Sequence, residues 1–430
     1  MVNDYQNYKT LILPSKGHLR NVSDYEATGG YKALKDVLAA KESTWTRENV
    51  INEVKTAGLR GRGGAGFNTG LKWSFMPKPD GGKRYIAANG DESEPGTFKD
   101  RVIFEFNPHL FIEGAIIGAY AIQADAVYVY IRGEYRSWIN FMEKAITDAY
   151  KAGYLGKNIL GSGVNIDMYV HSGAGAYICG EESSLMESLE GKRGYPRVKP
   201  PFPAQRGLWG RPTTINNIES LANVPLILNM GSAKYAAMGA KTHPGPVLYG
   251  ISGHVNRPGV YEYPTGMLIT DLIYDVAGGM RNGKKLKALV PGGSSTPILR
   301  ADQIDGVSMD ADSLRTAGSM MGTAGMAILD EDTDIVDFLY RITHFYHHES
   351  CGQCTPCREG TGWLEKLLHK IKTGEGELRD LDLLLDLTSQ MEGRTVCALA
   401  DAAAWPVRYT VTRFRDEFEA RCKKSVFAFA

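Results

Sequence analysis

The chain has 430 residues and balances 49 Lys and Arg against 49 Asp and Glu. This neutrality gives no electrostatic case for binding nucleic acid or an anionic membrane surface. Hydrophobic residues make up 43% of the chain, enough for two or three domains with separate cores. Six cysteines are too few for a disulfide scaffold, and the first 20 residues do not resemble a signal peptide. We therefore expect a soluble, cytoplasmic protein that reaches a membrane only through partners.

Strand-like and helix-like segments alternate over the first 240 residues, after an irregular arm at 1–30. Helices are predicted at 31–40, 47–59, 109–124, 135–151 and 181–189, and strands at 85–89, 126–132 and 164–170. This alternation predicts a layered α/β domain over residues 1–240. The apolar segment 109–124 is shorter than the roughly 20 residues that cross a bilayer, and it contains Glu113, so we expect a buried helix.

The pattern of hydrophobic residues changes twice more along the chain. The strand-like runs VLYGI, GVYEY, LKALV and MAILD, with one helix at 270–277, predict a small β-grasp domain over 241–333. From residue 334 onward, Leu and Ala recur at helical spacing and predict helices at 335–345, 362–372, 378–391 and 398–421. The expected fold is therefore a multidomain α/β protein with a C-terminal helical domain over 334–430.

Four cysteines form the most specific motif of the chain. Cys351, Cys354 and Cys357 make a C-x2-C-x2-C triplet, and Cys397 follows further along. A compact triplet with a distant fourth thiolate is typical of an iron–sulfur cluster. Gly352 permits the tight turn, and the start of the next helix can offset the negative charge of the cluster. The motif predicts one [4Fe–4S] cluster.

A zinc ion is the main alternative for these cysteines. Structural zinc sites usually use two separated cysteine pairs or mixed Cys and His pairs, and a triplet is unusual there. His344, His347 and His348 lie just upstream and could supply a ligand, although such residues are also common at a polar helix end.

A glycine-rich loop occupies residues 61–66, GRGGAG. It matches G-x-G-x-x-G but follows a helix-like segment, so a standard Rossmann site is not indicated. Backbone N–H groups of such a loop can still bind phosphate. Arg62 and Lys72 add positive charge, and Phe67 and Phe75 could stack on a purine. A flexible connection is the alternative.

Two further loops carry acidic groups. The segment 89–97, NGDESEPGT, follows a strand and could bind ribityl or ribose hydroxyls and a flavin edge, or Mg²⁺, or be a solvated turn. The segment 173–182, GAGAYICGEE, leads into a helix whose first glutamates also suit the helix dipole. Beyond it, Lys199 and Phe202 could close over an anionic aromatic ligand.

Together these motifs closely resemble the flavoprotein subunit of respiratory NADH:quinone oxidoreductase (complex I), the subunit that oxidises NADH. The matching segments are GLRGRGGAGF (58–67), TGLKW (69–73), NGDESEPGT (89–97), GAGAYICGEE (173–182), PRVKPPFP (196–203), TINNIE (214–219) and ESCGQCTPCREG (349–360), followed by Cys397-Ala-Leu. The resemblance runs from about residue 30 to residue 425, and it implies an FMN-binding α/β domain, a ubiquitin-like β-grasp domain and a helical bundle with a [4Fe–4S] cluster.

The resemblance also implies residue roles, with FMN as cofactor and NADH/NAD⁺ as substrate. FMN would contact Gly61, Arg62, Gly63, Lys72, Asn89, Asp91, Glu92, Gly180, Asn216 and Asn217, and Gly64 and Tyr177 complete the cofactor-binding set. The adenine of NADH would stack against Phe67, Phe75 and Phe202, while Glu94, Glu181, Glu182 and Lys199 would hold its nicotinamide and ribose parts.

No side chain is expected to act as an essential acid or base. Glu94 and Glu182, which we assign to the catalytic centre, would set position and local potential. The charge of Glu94 would also disfavour the 2′-phosphate of NADPH. Three positions depart from the family pattern, because Asn68 replaces Pro, Ser220 replaces Thr and Ala400 replaces Gly. None of them removes a ligand.

The implied partners are a thioredoxin-like [2Fe–2S] subunit and a large multi-cluster iron–sulfur subunit of complex I, in the peripheral arm on the cytoplasmic side, with no nucleic acid. One alternative is the diaphorase subunit of an NAD-linked hydrogenase or formate dehydrogenase. Another is a flavin-free iron–sulfur scaffold that binds partners through its β-grasp domain. A P-loop NTPase is disfavoured because the sequence has no G-x4-G-K-[ST].

Overall fold

The computed structural model describes residues 5–39 and 44–423. The last residue of the predicted helix 31–40 lies outside these ranges, as do residues 1–4 and 424–430 of the two predicted terminal domains.

A four-stranded parallel sheet forms the centre of the first domain. Its strands are β1 (Tyr85–Gly90), β2 (Ala126–Ile131), β3 (Asp167–Ser172) and β4 (Thr213–Asn217). They pair in the order β3-β2-β1-β4, and Ala88 faces Val129 on one side and Asn216 on the other. Since all four strands run the same way, their carboxyl ends meet at one edge of the sheet.

Helices cover this sheet, and their bounds are α1 (Val22–Ala27), α2 (Lys32–Leu38), α3 (Arg47–Thr56), α4 (Thr69–Ser74), α5 (Asp100–Phe106), α6 (Pro108–Ile122), α7 (Arg136–Lys151), α8 (Glu182–Leu189), α9 (Pro203–Arg206), α10 (Ile218–Met230) and α11 (Ser232–Ala236). The predicted buried helix is α6, which begins at Pro108 and ends at left-handed Gln123. Gly114 lets α6 approach α10, because a Cβ there would lie 1.9 Å from the carbonyl oxygen of Leu221.

The second domain is built on a mixed sheet. A short ribbon, β5 (Gly239–Ala240) and β6 (His243–Pro244), precedes β7 (Pro246–Gly253), β8 (Gly259–Pro264), β9 (Leu286–Val290), β10 (Leu299–Arg300) and β11 (Gly325–Asp330). The five strands from β7 to β11 form one sheet in the order β10-β9-β11-β7-β8, in which only the pair β7 and β11 is parallel. Two short helices accompany them, α12 (Ile269–Asp271), continued by a π-helical turn, and α13 (Ala311–Thr316). The four predicted strands are β7, β8, β9 and β11, and the predicted helix corresponds to α12 and its π-helical turn, whereas β10 and α13 were not predicted.

The C-terminal domain is helical, as predicted, with α14 (Ile335–Glu349), α15 (Thr355–Lys372), α16 (Leu378–Met391), α17 (Leu399–Arg413) and α18 (Arg415–Glu419). Helix α15 begins seven residues before the predicted start, inside the cysteine motif, because Pro356 suits the first helical turn. Gly360 permits close packing there, since its Cβ would lie 2.6 Å from Sδ of Met391. The predicted helix 398–421 is divided at Phe414.

The N-terminal arm is held by two buried carboxylates. Glu262 accepts hydrogen bonds from the Tyr8 hydroxyl and from three successive backbone N–H groups, those of residues 11–13. Glu113 accepts from the Tyr25 hydroxyl and from the N–H groups of Tyr31 and Leu34, the latter two at 3.0 Å each. Burial raises the pKa of both carboxyls, while these hydrogen bonds act to lower it.

No single helix in the described part of the chain is both long and apolar enough to cross a bilayer. Helices α5 and α6 reach that length and hydropathy only when they are taken together, and they meet at a bend of 107°.

The anchoring role of Glu113 gives a stability prediction. In Glu113→Ala, the Tyr31 and Leu34 N–H groups lose their buried acceptor, so we expect the free energy of unfolding to fall by about 3 kcal/mol. Urea unfolding followed by circular dichroism measures this. Glu143→Ala, at an exposed position of α7, should change stability by less than about 0.5 kcal/mol. Equal effects of the two substitutions would contradict the anchoring role.

Candidate functional site

The carboxyl edge of the parallel sheet brings Asn89, Asp91, Asn216 and Asn217 together. Asn89 of β1 is the register partner of Asn217 of β4. The strand order reverses between these two strands, since β1 is followed along the chain by β2 on its other side. Open α/β sheets bind ligands in the crevice outside such a reversal. The sheet therefore places these four predicted residues at a preferred binding position.

The glycine loop lies against this edge. Gly63 packs on Asn217, because a Cβ on Gly63 would lie 3.0 Å from Cβ of Asn217. Gly64 has a φ of +111°, which only glycine adopts readily. The N–H of Arg62 donates to the hydroxyl of Ser220 at 2.8 Å. The substitution of Ser for the more common Thr at 220 thus keeps the hydroxyl that holds the loop.

The side chain of Arg62 lies deeper than the sequence suggests. It is buried, and its Nη2 donates to the carbonyl oxygen of Pro244 at 2.7 Å, at the junction with the β-grasp domain. Its Nε and Nη1 have no hydrogen-bond partner among the described residues. The guanidinium therefore adds charge behind the loop, while the Arg62 backbone faces Ser220.

Asn68, which replaces the expected Pro, begins the next helix. Its Oδ1 accepts a hydrogen bond from the Leu71 N–H at 2.8 Å and caps α4. Trp73 of the same helix donates from Nε1 to Oδ1 of Asn216 at 2.9 Å. The capped helix thus orients Asn216, and Trp73, although it lies in the TGLKW motif, is a supporting residue that the motif gave no role.

Two lysines and two glutamates join three of the predicted motifs. Lys72 of α4 lies 3.0 Å from Glu182, and Lys199 lies 2.7 Å from Glu182 and 3.0 Å from Glu181. Burial acts to raise the pKa of Glu182, but Lys72 and Lys199 outweigh it and the pKa is lowered. The network is neutral overall and binds α4, the start of α8 and the proline-rich segment to one another.

Asp91 has a carboxylate oxygen with no protein partner. Its Oδ1 accepts from the Ser93 hydroxyl at 2.8 Å, whereas Oδ2 is buried and unpartnered among the described residues. Burial raises the pKa of Asp91 to about 7. A Cβ on Gly180 would lie 3.6 Å from this Oδ2, so the glycine keeps the space beside it open. An unpartnered oxygen beside open space fits a hydrogen-bonding ligand such as FMN.

Glu92 is used inside the protein. Its Oε1 accepts from the N–H groups of Lys99 and Asp100, and its Oε2 pairs with Arg101 at 3.0 Å. The side chain is buried, so it anchors the start of α5 beneath the site. Although Glu92 follows Asp91 directly in the sequence, both of its carboxylate oxygens are already bound to residues 99–101.

Glu94 connects all three domains. Its Oε2 accepts from the Tyr177 hydroxyl at 2.7 Å, and its Oε1 accepts from the Ser295 N–H of the β-grasp domain at 2.7 Å. The hydroxyl of Tyr346, in the helical domain, donates to the same Oε1 at 3.3 Å. Ser295 and Tyr346 were not predicted, because neither belongs to a motif that points to this site.

Three predicted aromatic residues are exposed rather than buried in a core. Phe67, Phe75 and Phe202 keep 47%, 56% and 53% of their surface accessible. The rings of Phe67 and Phe75 lie 6.1 Å apart. Exposed aromatic faces around a polar crevice are suited to stacking on a planar ring.

The four predicted cluster ligands line one small cavity. Cys351, Cys354, Cys357 and Cys397 surround it together with apolar side chains such as Ile178. No three metal-binding side chains among the described residues converge as the ligands of a single ion would. In a [4Fe–4S] cluster each thiolate binds a different iron, so the four sulfurs stand around a larger object. The arrangement fits that group better than zinc.

Burial and helix ends tune this cavity. Burial raises the pKa of Cys357 to about 11 and that of Cys397 to about 12, so these thiols lose their protons when a cation binds them. Cys354 precedes α15 and Cys397 precedes α17, and the positive ends of both helices offset thiolate charge.

The three upstream histidines lie outside the cavity lining. His344 lies 2.7 Å from Glu365 and His347 lies 3.3 Å from the Thr361 hydroxyl, while His348 faces Glu349. His344 and His347 thus pair with residues of α15, and His348 pairs with Glu349 at the end of α14, which agrees with the alternative of ordinary histidines at a polar helix end.

A single turn, Tyr177–Gly180, separates the crevice from the cysteine cavity. Ile178 lines the cavity, and two residues later the carbonyl oxygen of Gly180 accepts from Nδ2 of Asn89 at 2.8 Å. The N–H of Tyr177 donates to Glu349 of the helical domain at 3.0 Å. A redox group in the crevice would thus lie one turn of chain from a cluster.

Three family models match the chain. Residues 54–226 match the Nuo51 FMN-binding domain, residues 248–299 the SLBB domain, and residues 337–421 the NADH-ubiquinone oxidoreductase-F iron-sulfur binding region. The chain therefore has an FMN-binding domain and a [4Fe–4S]-binding region, and the predicted multidomain fold is confirmed.

Curated relatives extend the similarity over most of the chain. The F 2 subunit of NADH-quinone oxidoreductase from Rhizobium meliloti (strain 1021) is 52% identical over 95% of this chain and 95% of its own length. The F subunit of NADH-quinone oxidoreductase from Rickettsia bellii (strain OSU 85-389) is 51% identical over 87% of this chain and 90% of its own.

A crystal structure of an NAD⁺-reducing [NiFe]-hydrogenase in the H2-reduced state is also similar, with a TM-score of 0.81 and 35% identity over 91% of this chain. This chain covers 65% of that hydrogenase chain.

The cavity geometry gives a prediction about the cluster. In Cys397→Ser, one ligand is replaced by a poorer one, so we expect loss of the cubane absorption and of protein-bound iron. Iron analysis and EPR of the reduced protein measure this. Cys422→Ser is the matched control, because Cys422 donates from Sγ to the Phe418 carbonyl oxygen outside the cavity lining. Full retention of the cluster in Cys397→Ser would remove Cys397 from the ligand set.

Proposed function

Because the chain belongs to the family of NADH-quinone oxidoreductase F subunits, we propose that NADH is oxidised on it and that single electrons leave it toward quinone. The residues of the FMN-binding domain would hold FMN, which would supply the change from a two-electron hydride donor to one-electron transfer toward a [4Fe–4S] cluster. The residues of the chain supply binding, orientation and exclusion of water.

The observation that carries this proposal is the Tyr177–Gly180 turn. It contacts the sheet-edge crevice through Gly180 and the cysteine cavity through Ile178. Electron transfer from a hydride-accepting group in the crevice to a one-electron carrier in the cysteine cavity requires the two to lie close together. A flavin-free scaffold protein would have no use for a crevice with an unpartnered Asp91 oxygen beside such a turn.

We assign the site residues as follows. The glycine loop and Asn216 and Asn217 hold the phosphate and ribityl end of FMN, and Asn89 and Asp91 hold the ring end. Phe67, Phe75 and Phe202 stack on the adenine of NADH. Lys72 contacts FMN, and it is linked through Glu182 to Lys199 and Glu181, which together with Glu182 hold the nicotinamide and ribose parts of NADH. Glu94 sets the position of the nicotinamide and ribose.

The partners follow from the complex I context of the family. We propose that electrons pass to a large multi-cluster iron–sulfur subunit, and that a thioredoxin-like [2Fe–2S] subunit is the second neighbour, in the peripheral arm on the cytoplasmic side. The hydrogenase diaphorase alternative is not favoured, since the relatives with 51% and 52% identity are NADH-quinone oxidoreductase subunits.

Anaerobic titration of the purified full-length holoprotein with NADH tests the proposal. We expect bleaching of the flavin absorbance and a reduced [4Fe–4S] EPR signal, because the crevice and the cysteine cavity are separated by the single turn Tyr177–Gly180. The same titration in Cys397→Ser should still bleach the flavin. Flavin bleaching without a cubane signal in the unsubstituted protein would break the proposed electron path.

The charge of Glu94 gives a selectivity prediction. Glu94→Gln removes a negative charge near the ribose position, so we expect kcat/KM for NADPH relative to NADH to rise about tenfold. Steady-state kinetics with ferricyanide as acceptor measures the ratio. Glu375→Gln, an exposed position between α15 and α16, is the control and should leave the ratio unchanged. An unchanged ratio in Glu94→Gln would show that Glu94 does not discriminate the 2′-phosphate.

A further inference from the structure

A lysine is buried between two carboxylates beneath the glycine loop. Nζ of Lys99 lies 3.0 Å from Oδ1 of Asp100 and 2.6 Å from Oε2 of Glu219. The three side chains are at most 5% exposed. Removing three charges from water is strongly unfavourable unless each is paired and hydrogen-bonded. We call Lys99, Asp100 and Glu219 the Lys99 cluster.

The charges of the cluster depend on one another. Burial acts to lower the pKa of Lys99, but the carboxylates of Asp100 and Glu219 outweigh it and the pKa is raised. Burial raises the pKa of Asp100 to about 6 against the attraction of Lys99, while Glu92 and Glu219 act in the same direction as burial. The two carboxylates therefore hold Lys99 in its charged form, and Lys99 in turn favours the ionised form of Asp100.

The cluster fixes Asn217 from both ends. Oδ2 of Asp100 accepts from Nδ2 of Asn217 at 2.7 Å, and Oδ1 of Asn217 accepts from the Glu219 N–H at 3.0 Å. Gly63 packs directly on this side chain, because a Cβ added to Gly63 would lie 3.0 Å from Cβ of Asn217. The Asn217 side chain is thus held in one position, and it limits how closely the glycine loop can approach the sheet edge.

A second contact ties the loop to the same support. The residue after Glu219 is Ser220, whose hydroxyl accepts from the Arg62 N–H at 2.8 Å. Glu219 also accepts, through Oε1, from the Leu248 N–H of β7 at 2.9 Å. The first turn of α10 therefore holds the loop from below and is itself held by the Lys99 cluster and by the β-grasp domain.

We propose that the Lys99 cluster is the positioning element of the glycine loop and that it sets the preference of the flavin site for FMN over riboflavin. The inference rests on the proposed function, since it takes the FMN phosphate to lie on the glycine loop. Recognition of phosphate by backbone N–H groups requires a loop held in one conformation. The isoalloxazine end depends on Asn89 and Asp91 instead, and riboflavin, which lacks the phosphate, keeps those contacts.

Asp100→Asn tests the proposal in the full-length chain freed of flavin. The carboxylate faces two donors, Nζ of Lys99 and Nδ2 of Asn217, whereas an amide has one acceptor oxygen and must lose one of these bonds. We expect the Kd for FMN to rise about tenfold and the Kd for riboflavin, which keeps the ribityl chain but lacks the phosphate, to rise much less, both measured by flavin fluorescence titration. Glu219→Gln, which removes the other carboxylate of the cluster, should shift the same ratio, and it serves if Asp100→Asn does not fold.

The matched control is Glu262→Gln. Glu262 is equally buried and hydrogen-bonded, but it anchors the N-terminal arm at Tyr8 and residues 11–13. We expect it to lower thermal stability without changing the ratio of FMN to riboflavin affinity. An equal loss for both flavins in the cluster variants, or the same ratio change in Glu262→Gln, overturns the inference. If the unsubstituted chain binds neither flavin, the proposed function itself fails.

Discussion

The architecture depends on one constraint: the crevice at the edge of the sheet and the cysteine cavity share the four-residue turn Tyr177–Gly180. The crevice is formed by a parallel sheet, and the cavity lies between helices of another domain. The two can meet only where a loop leaves the sheet and touches the helical bundle. The hydrogen bonds from Asn89 to Gly180 and from Tyr177 to Glu349 fix that loop on both sides. The ion pairs of Glu182 with Lys72 and with Lys199 connect the segment after this turn to α4 and to the proline-rich segment.

Much of the fold was predictable because local patterns agreed with tertiary structure. The helix at 378–391 coincides with α16, and the apolar segment 109–124 forms α6. The strand predicted at 164–170 lies at 167–172, since β3 pairs from Asp167 onward with β2. Helix α10 was not predicted, because buried polar residues such as Glu219 and Asn223 and an internal Pro225 hide its apolar face. Only the partners of these polar groups explain their burial.

The site was predictable where a motif carries the chemistry, and not where distant segments meet. The cysteine spacing indicated a cluster, and all four sulfurs line one cavity. The same motifs could not show that the Arg62 guanidinium turns toward Pro244, or that both oxygens of Glu92 serve α5. Ser295 and Tyr346 reach Glu94 from two other domains, and no local pattern records such contacts.

The contacts of Glu94 also bear on how the protein is made. Tyr346 lies 252 residues after Glu94. At about 5–20 residues per second, a ribosome needs roughly 13–50 s to synthesise the chain between them. Strands β2, β3 and β4 are synthesised within that interval, and the contact of Glu94 with Tyr346 forms only at its end. The hydrogen-bond network of Glu94 is thus completed only after the helical domain has been synthesised, so a nascent chain that lacks the cysteine cavity also lacks the full set of Glu94 contacts.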